Sequence, residues 1–160
     1  MAAPYVYPGT ETLKNHFNIR DPDELEAVER NITSLRLKDR AAVPTSVKLT
    51  SDGYADLHKF IFSDLYPWAG QFRTVAIAKP NAMFCMPQFI EPQLADCFAN
   101  IASDQRLATT EYKLFAEGLA EHLSQLDAIH PFREGNGRTM MLFLQTFCQE
   151  RQIPFRTKVY

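Results

Sequence analysis

Apolar residues recur at helical spacing along most of the chain, which predicts a largely helical protein. Asp21 followed by Pro22 is a helix-start signal, and the apolar positions after it predict a first helix over residues 22–37. Ser51 and Asp52 form a predicted cap for a second helix, which ends before Pro67 because proline interrupts helical hydrogen bonding.

Three further helices are predicted in the second half of the chain. The third starts at Pro92, the fourth covers residues 110–129 and the fifth covers residues 139–150. The fifth is apolar almost all the way round, which is typical of a buried central helix. We therefore expect an all-α fold, a helical bundle around a buried central helix pair.

One segment departs from this helical pattern. Within residues 72–90, Val75 and Ile77 alternate with small residues, and a turn follows at positions 79–81. The pattern predicts a short β-hairpin inserted among the helices. Because an isolated two-stranded hairpin is only marginally stable, it must pack on the helices or accept a further strand.

Composition narrows the range of partners. The chain has 160 residues, a hydrophobic content of 46% and a formal charge of −2, which is typical of one globular domain. Nucleic acid is not expected as a partner, because its binding needs a basic surface. No apolar run approaches the roughly 18 residues that span a bilayer, so we expect no membrane insertion. The three cysteines include no CxxC pair, which favours a reducing cytoplasm.

The segment HPFREGNGR, residues 130–138, carries the candidate chemistry. Gly135 and Gly137 allow the backbone to approach a ligand closely. The helix that follows directs its free N–H groups and the positive end of its dipole into this turn, which makes an anion site. Arg138 lies in the first turn of that helix, where a bound phosphate would explain a cation.

Two side chains of the same segment suggest acid–base and metal chemistry. His130 is a group that can take a proton near neutral pH. Glu134 offers a carboxylate suited to a Mg²⁺ ion that bridges phosphates. A base, a metal ligand and a phosphate cradle together describe phosphoryl or nucleotidyl transfer. A structural glycine corner between two helices explains the same residue types about equally well.

The same nine residues resemble the signature of the Fic (filamentation induced by cyclic AMP) domain family, H-x-F-x-[D/E]-G-N-G-R, at every specified position. The sequence YPWAG at residues 66–70, followed by FRT at 72–74, is similar to the segment that leads into the hairpin of that family, the flap. The likeness covers about residues 57–149, and YPGTETLKN near the start is similar to the lead-in of some bacterial members. The resemblance implies a single Fic domain over residues 1–160, with its core at about 50–150 and a lead-in and helix within 1–40.

The resemblance also implies an activity. Members of the family are protein adenylyltransferases, which transfer AMP from ATP to a Tyr, Thr or Ser hydroxyl of a target protein and release pyrophosphate. In that role His130 is the base, Glu134 holds Mg²⁺ and Arg138 binds phosphate. The implied anion hole uses backbone and side-chain donors of three residues, Gly135, Asn136 and Gly137.

The resemblance places the target protein along the flap. It implies that the flap residues register the target backbone by strand addition, and these residues are Lys79, Pro80 and Asn81. It also implies a bacterial toxin or effector, which acts in the cytoplasm or is delivered into a host cell.

Two departures from the family pattern leave alternatives open. Many active members carry a second phosphate-binding arginine where this chain has Met141, so another nucleotide or phospho-donor, or a catalytically weak binding module, are alternative functions. The self-inhibitory pattern [S/T]-x-x-x-E-[G/N] finds no match in the 160 residues. The resemblance then suggests either a small antitoxin that supplies the inhibitory helix, or no such control.

Overall fold

The computed structural model describes residues 4–156; the ends of the predicted domain, residues 1–3 and 157–160, lie outside this range. The described residues form five α-helices, one 3-10 turn and one two-stranded sheet. In chain order the elements are α1 (Pro22–Lys38), α2 (Ser51–Phe62), β1 (Ala78–Lys79), β2 (Ala82–Met83), α3 (Pro87–Ser103), the 3-10 turn (Gln105–Ala108), α4 (Tyr112–Ile129) and α5 (Asn136–Glu150). The prediction of a helical fold with an inserted hairpin is confirmed.

The first two helices begin with side-chain caps. The carboxylate of Asp21 accepts a hydrogen bond from the backbone N–H of Glu24 at 2.9 Å, and Pro22 occupies the first helical position. Thr50 caps α2 by accepting from the N–H of Gly53 at 3.0 Å. The first helix therefore starts where the sequence predicts it, whereas the cap of α2 is Thr50 and the predicted cap residues Ser51 and Asp52 lie inside the helix.

Two predicted helix starts were wrong. The third helix begins at Pro87, and Pro92 lies inside it. Burial of Ile90 and Leu94 on either side of Pro92 stabilises the helix against the hydrogen bond that this proline cannot donate. The last helix begins three residues earlier than predicted, because Gly135 adopts a left-handed conformation that turns the chain directly into it.

The hairpin is smaller than the predicted segment. Its strands have two residues each, with Ala78 opposite Met83 and Lys79 opposite Ala82, and all of its residues are exposed. The second strand is short because Pro87 starts α3 four residues later. The outer edges of both strands carry no third strand among the described residues.

The core gathers apolar side chains from all five helices. The last helix packs against α2 and α4, and its Phe143 and Phe147 are fully buried. Met141 lies on its outer side with 41% of its surface exposed, so α5 is not buried all the way round. The core positions the turn at residues 130–135 between α4 and α5. Within residues 4–156, none of the helices combines the length and the hydrophobicity needed to cross a membrane.

Candidate active site

Two buried residues, Phe132 in the turn and Asn136 at the start of α5, hold the turn between α4 and α5 in place. The ring of Phe132 is fully buried and stacks on His58, with centroids 3.9 Å apart. The side-chain amide of Asn136 donates to the carbonyl of Phe132 at 2.7 Å, and its oxygen accepts from the N–H of Phe132 at 2.9 Å. Because both ends of this amide engage the turn, the side chain of Asn136 fixes the backbone at Phe132.

His58 fastens the turn to the segment before the hairpin. Its Nδ1 accepts from the N–H of Gly70 at 2.9 Å, so we assign the proton to Nε2, which donates to the carbonyl of Glu134 at 2.9 Å. The ring is fully buried, and this burial lowers the pKa of His58 from 6.5 to about 4. His58 is therefore a neutral structural support.

The start of α5 has no side-chain cap. Its N-cap residue is Gly135, so the N–H groups of the first turn remain available to a ligand. Gly135 has a φ of 84°, and a Cβ at this position would lie 2.3 Å from the ring of Phe62. Gly137 is different, because a Cβ there would meet nothing within 4 Å. The fold requires glycine at 135 and leaves open space at 137.

Arg138 is held by a carboxylate from the first helix. Its Nη2 donates to Oε1 of Glu29 at 2.5 Å, and the guanidinium lies over the ring of Phe62 at 4.8 Å. The other carboxylate oxygen of Glu29 accepts from the hydroxyl of Tyr66. Burial, followed by the Glu29 carboxylate, raises the pKa of Tyr66. Arg138 is therefore a cation held in place at the N-terminus of α5.

His130 ends α4 in a left-handed conformation, with φ 50° and ψ 64°. This conformation is uncommon for a residue other than glycine. The imidazole lies parallel to the ring of Phe84, with centroids 3.8 Å apart. Its Nδ1 is buried and makes no well-formed hydrogen bond with the described residues. The nearby carbonyl of Asp127 still acts to raise the pKa of His130.

The net effect of these surroundings is a lowered pKa for His130. Burial is the largest cause, and the cations of Arg73 and Lys79 act in the same direction, whereas Asp127 opposes them. The imidazole is therefore neutral at pH 7. A neutral imidazole has a lone pair with which to accept a proton.

Arg73 connects the hairpin with the end of α4. Its buried guanidinium donates to the carbonyls of Val75, Cys85, Ile129 and His130 at 2.6–3.2 Å. Burial lowers the pKa of Arg73, and the four carbonyl dipoles compensate for the missing solvent. One side chain therefore holds the backbone on both sides of the Phe84–His130 contact.

The motif residues share one cavity of about 380 Å³. It is lined by His130, Arg133, Glu134, Gly135, Asn136, Gly137 and Arg138. The predicted base, metal ligand and phosphate-binding residues are thus brought together. The flap residues Lys79, Pro80 and Asn81 are exposed outside this lining, and the ammonium of Lys79 lies 5.2 Å from the centre of the Phe84 ring.

The donor set at Glu134 suits magnesium. The carboxylate is 45% exposed at the cavity, where its Oε1 accepts from the N–H of Gly135 at 3.1 Å. No cluster of three or more metal-ligating side chains occurs within residues 4–156. A metal here would depend on one carboxylate, phosphate oxygens and water, which is the usual mode of Mg²⁺ binding.

A second polar cluster lies away from this cavity. The carboxylate of Asp104 accepts from Arg106 and from Nε2 of His122, which lies 2.8 Å away. The hydrogen bonds from Arg106, helped by His122, lower the pKa of Asp104. Although Asp104 borders a larger hollow of about 550 Å³, its carboxylate is engaged by these partners, so it is not a free ligand group.

Comparison with known proteins identifies the family. The model of the Fic/DOC family matches residues 48–148, and the chain belongs to this family. A probable protein adenylyltransferase y4lH from Sinorhizobium fredii is 42% identical over 142 residues, which are 88% of this chain and 72% of the relative. The protein adenylyltransferase VbhT of Bartonella schoenbuchensis is 33% identical over 92% of this chain, but the match spans only 31% of VbhT.

Solved structures share the fold. The BepC protein of Bartonella tribocorum, a VirB-translocated effector solved with bound AMPPNP, superposes with a TM-score of 0.82 at 25% identity. The match covers 91% of this chain and 77% of BepC.

Four residues that shape the site were not predicted from the sequence, namely Glu29, His58, Arg73 and Phe84. Glu29 and His58 lie in ordinary helical patterns, and their contacts with Arg138 and Glu134 cross 109 and 76 positions. Phe84 lies in a predicted hairpin segment and had no assigned role. A signal existed only for His58, because it occupies the apolar face of α2, where a histidine needs hydrogen-bond partners.

Proposed function

We propose that this protein is a protein adenylyltransferase that transfers AMP from ATP to a Tyr, Thr or Ser hydroxyl of a target protein. The observation that carries the proposal is the uncapped start of α5, which opens beside His130 into the same cavity. Membership of the Fic/DOC family and the names of the relatives support the same activity.

In this proposal His130 is the general base. We assign its proton to the buried Nδ1, so that Nε2 is free to take the proton of the target hydroxyl. The hydroxyl oxygen forms a bond to the α-phosphorus of ATP as the bond from that phosphorus to the pyrophosphate oxygen breaks. Pyrophosphate leaves with the electron pair, and His130 passes the proton to solvent.

The start of α5 stabilises the phosphate charge. The backbone N–H groups of Asn136, Gly137 and Arg138 donate to phosphate oxygens, and the helix dipole favours the negative charge there. The Arg138 guanidinium adds a charge-assisted donor. Because these donors are fixed before the nucleotide binds, they need little reorganisation in the transition state.

Magnesium completes the proposed nucleotide site. Glu134 would hold the ion, which neutralises phosphate charge when it is bound. The protein groups nearby keep separate tasks, since Glu134 is oriented through the Gly135 N–H and its backbone carbonyl is fixed by His58.

The target docks along the flap in this proposal. Among residues 4–156 the outer edges of β1 and β2 pair with no further strand, so an extended target segment can add to them. Lys79, Pro80 and Asn81 then register that segment relative to His130. This docking brings a hydroxyl to the base without a deep pocket for the target side chain.

Met141 favours a second candidate, transfer from another nucleotide or phospho-donor. A methionine cannot donate a hydrogen bond to a terminal phosphate, so the far end of the nucleotide lacks one cation of the family pattern. Competition among ATP, GTP, UTP, CTP and diphospho-linked donors for binding separates this candidate from the first.

Control and location follow as parts of the proposal. A small antitoxin could supply an inhibitory helix, because the 160 residues contain no match to the family's inhibitory pattern. Action in the cytoplasm and delivery into a host cell are both compatible with the relatives, among which BepC is a translocated effector.

The test compares two labelled forms of ATP. Incubation with a lysate and α-labelled ATP is expected to label a target protein, whereas γ-labelled ATP is expected to label none. Label from the γ-position would indicate phosphoryl transfer instead. Failure to transfer label from α-labelled ATP, GTP, UTP or CTP would overturn the proposal.

A further inference from the structure

The flap residue Phe84 lies directly against the candidate base. Its ring and the imidazole of His130 are stacked nearly parallel, with an interplanar angle of 7° and a centroid distance of 3.8 Å. This is the separation of two aromatic faces in van der Waals contact. A side chain from the hairpin therefore covers one face of the imidazole.

The hydrogen bonds of His130 do not explain the orientation of its ring. A catalytic base is usually oriented by a third group that bonds its other nitrogen. Here Nδ1 is buried without a well-formed hydrogen bond to the described residues. Arg73 holds the carbonyl of His130 at 2.8 Å, but this contact fixes only the backbone. The carbonyl of Asp127 is close enough to affect the imidazole but makes no well-formed hydrogen bond with Nδ1, so the plane of the ring depends on packing, and Phe84 supplies the parallel face.

Phe84 is itself fixed relative to the helix that carries the base. Its N–H donates to the carbonyl of Ile77 at 3.2 Å, across the hairpin. The next residue, Cys85, donates to the carbonyl of Ala128 in the last turn of α4 at 3.2 Å. The carbonyl of Cys85 accepts from Arg73 at 2.6 Å. The backbone that carries Phe84 is thus anchored within two residues of His130.

We propose that Phe84 is a positioning residue, which sets the plane of the His130 imidazole for proton transfer and links the flap to the base. The proposal rests on the proposed function, because it takes His130 as the base. It adds a consequence for docking: the target segment and the imidazole are registered by the same hairpin. The position of the base is therefore set by the element that receives the substrate.

The first test measures the ring contact by NMR without any substrate. The Cε1–H resonance of His130 is assigned by its loss in His130→Ala, which is practical because the chain has four histidines. We expect this resonance upfield of an ordinary histidine, since the proton lies over an aromatic face. Phe84→Leu should move it downfield, whereas Phe84→Tyr should leave it in place. An unchanged resonance in Phe84→Leu would contradict the stack.

The second test measures steady-state AMP transfer. Phe84→Leu is expected to lower kcat about tenfold to a hundredfold, because a misplaced base reduces the rate of the chemical step. The KM for ATP should stay the same, since the phosphate donors lie at the start of α5. Phe84→Tyr should restore kcat. Phe17→Leu is the matched control, because Phe17 is an exposed phenylalanine that precedes α1 and lies outside the flap.

Three results of the transfer assay would contradict the positioning role of Phe84 or the function on which it rests. A loss confined to the KM for the target would make Phe84 a docking residue and overturn the positioning role. Wild-type kcat in Phe84→Leu, with active wild-type protein, would overturn this proposal alone. If the wild type transfers no AMP, the proposed function fails, and the positioning role for that reaction fails with it.

Discussion

The carboxylate of Glu29 on α1 accepts a hydrogen bond from Nη2 of Arg138 at 2.5 Å, across 109 positions of the chain. Its second oxygen accepts from the buried Tyr66 hydroxyl. Only 15% of the Glu29 side chain is exposed, so this pair is better shielded from solvent than a surface ion pair. The first helix therefore supports Arg138, the proposed phosphate-binding residue, although it lies far from the motif in sequence.

Removing the Glu29 carboxylate should destabilise the protein. In Glu29→Ala the Tyr66 hydroxyl loses its acceptor and Arg138 loses its carboxylate, which is expected to cost about 1–3 kcal/mol of unfolding free energy. Urea denaturation measures this cost. Glu26→Ala on the same helix is the control, since the Glu26–Arg30 pair is 70–71% exposed and should contribute less than about 0.5 kcal/mol. Equal costs in the two variants would show that the Glu29 contact is no stronger than a surface pair.

Substitution of Gly137 should separate stability from nucleotide binding. Apart from its chain neighbours and the adjacent backbone of its own helix, a Cβ at 137 meets no atom within 4 Å, so Gly137→Ala is expected to stabilise α5 by about 0.5–1 kcal/mol. The same methyl group fills space that we assign to phosphate, and the affinity for ATP should fall. Thermal unfolding and ATP titration of one preparation measure both effects. Gly135→Ala is the contrast, because strain and the contact with Phe62 should destabilise it. Unchanged ATP affinity in Gly137→Ala would remove the phosphate from this position.

The pH dependence of stability should include a contribution from His58. The unfolded chain takes up a proton at this residue near pH 6.5, whereas the folded protein does so only near pH 4. Because the unfolded state binds more protons between these values, stability is complete above the upper value and falls by roughly 3 kcal/mol as the pH decreases through this window. Urea denaturation at about pH 7 and about pH 4.5 measures the fall.

The variant His58→Gln tests this assignment. Glutamine does not titrate, so the difference in unfolding free energy between the two pH values should shrink, whatever the overall stability of the variant. His16→Gln replaces an exposed histidine and should leave the difference unchanged. If the unfolding free energy of His58→Gln changed between the two pH values as much as that of the wild type, other groups would cause the pH dependence.

An arginine at position 141 should strengthen nucleotide binding. Met141 lies three residues after Arg138 on α5 and is 41% exposed, so a longer polar side chain fits without displacing the core. Met141→Arg is expected to raise ATP affinity at least about tenfold, which corresponds to one charge-assisted hydrogen bond. Isothermal titration measures it, with Met141→Leu as the uncharged control. If Met141→Arg binds ATP no better than wild type, the site does not lack a cation for ATP.

Local sequence signals predicted much of the fold. Asp21 with Pro22 and the cap at the start of α2 act within a single helical turn, so their effect is visible in the sequence. Pro92 misled the prediction, because the burial of Ile90 and Leu94 decides where α3 begins and burial is a property of the assembled core. Gly135 lies where the sequence placed it, between the fourth and fifth helices, whereas Asn136 is already the first residue of α5.

The supports of the site were not predictable in the same way. Arg73 holds carbonyls 56 and 57 positions away, and its four acceptors are backbone groups that leave no trace in the sequence. Glu29 and His58 have the same difficulty, since each bonds a residue on a different element. Chemistry that lies within one turn can be read from a motif, whereas the contacts that orient it depend on tertiary packing.

The role of His130 is tested most directly by measuring the transfer of AMP from α-labelled ATP to the target protein. The assay compares His130→Ala with the wild type and with His16→Ala. We predict that the rate of AMP transfer falls by about 10²–10⁴-fold in His130→Ala, because the base is lost. The variant should still bind ATP, because the phosphate donors of α5 remain. His16→Ala should keep wild-type activity. Wild-type transfer by His130→Ala would contradict the assignment of the base and with it the proposed mechanism.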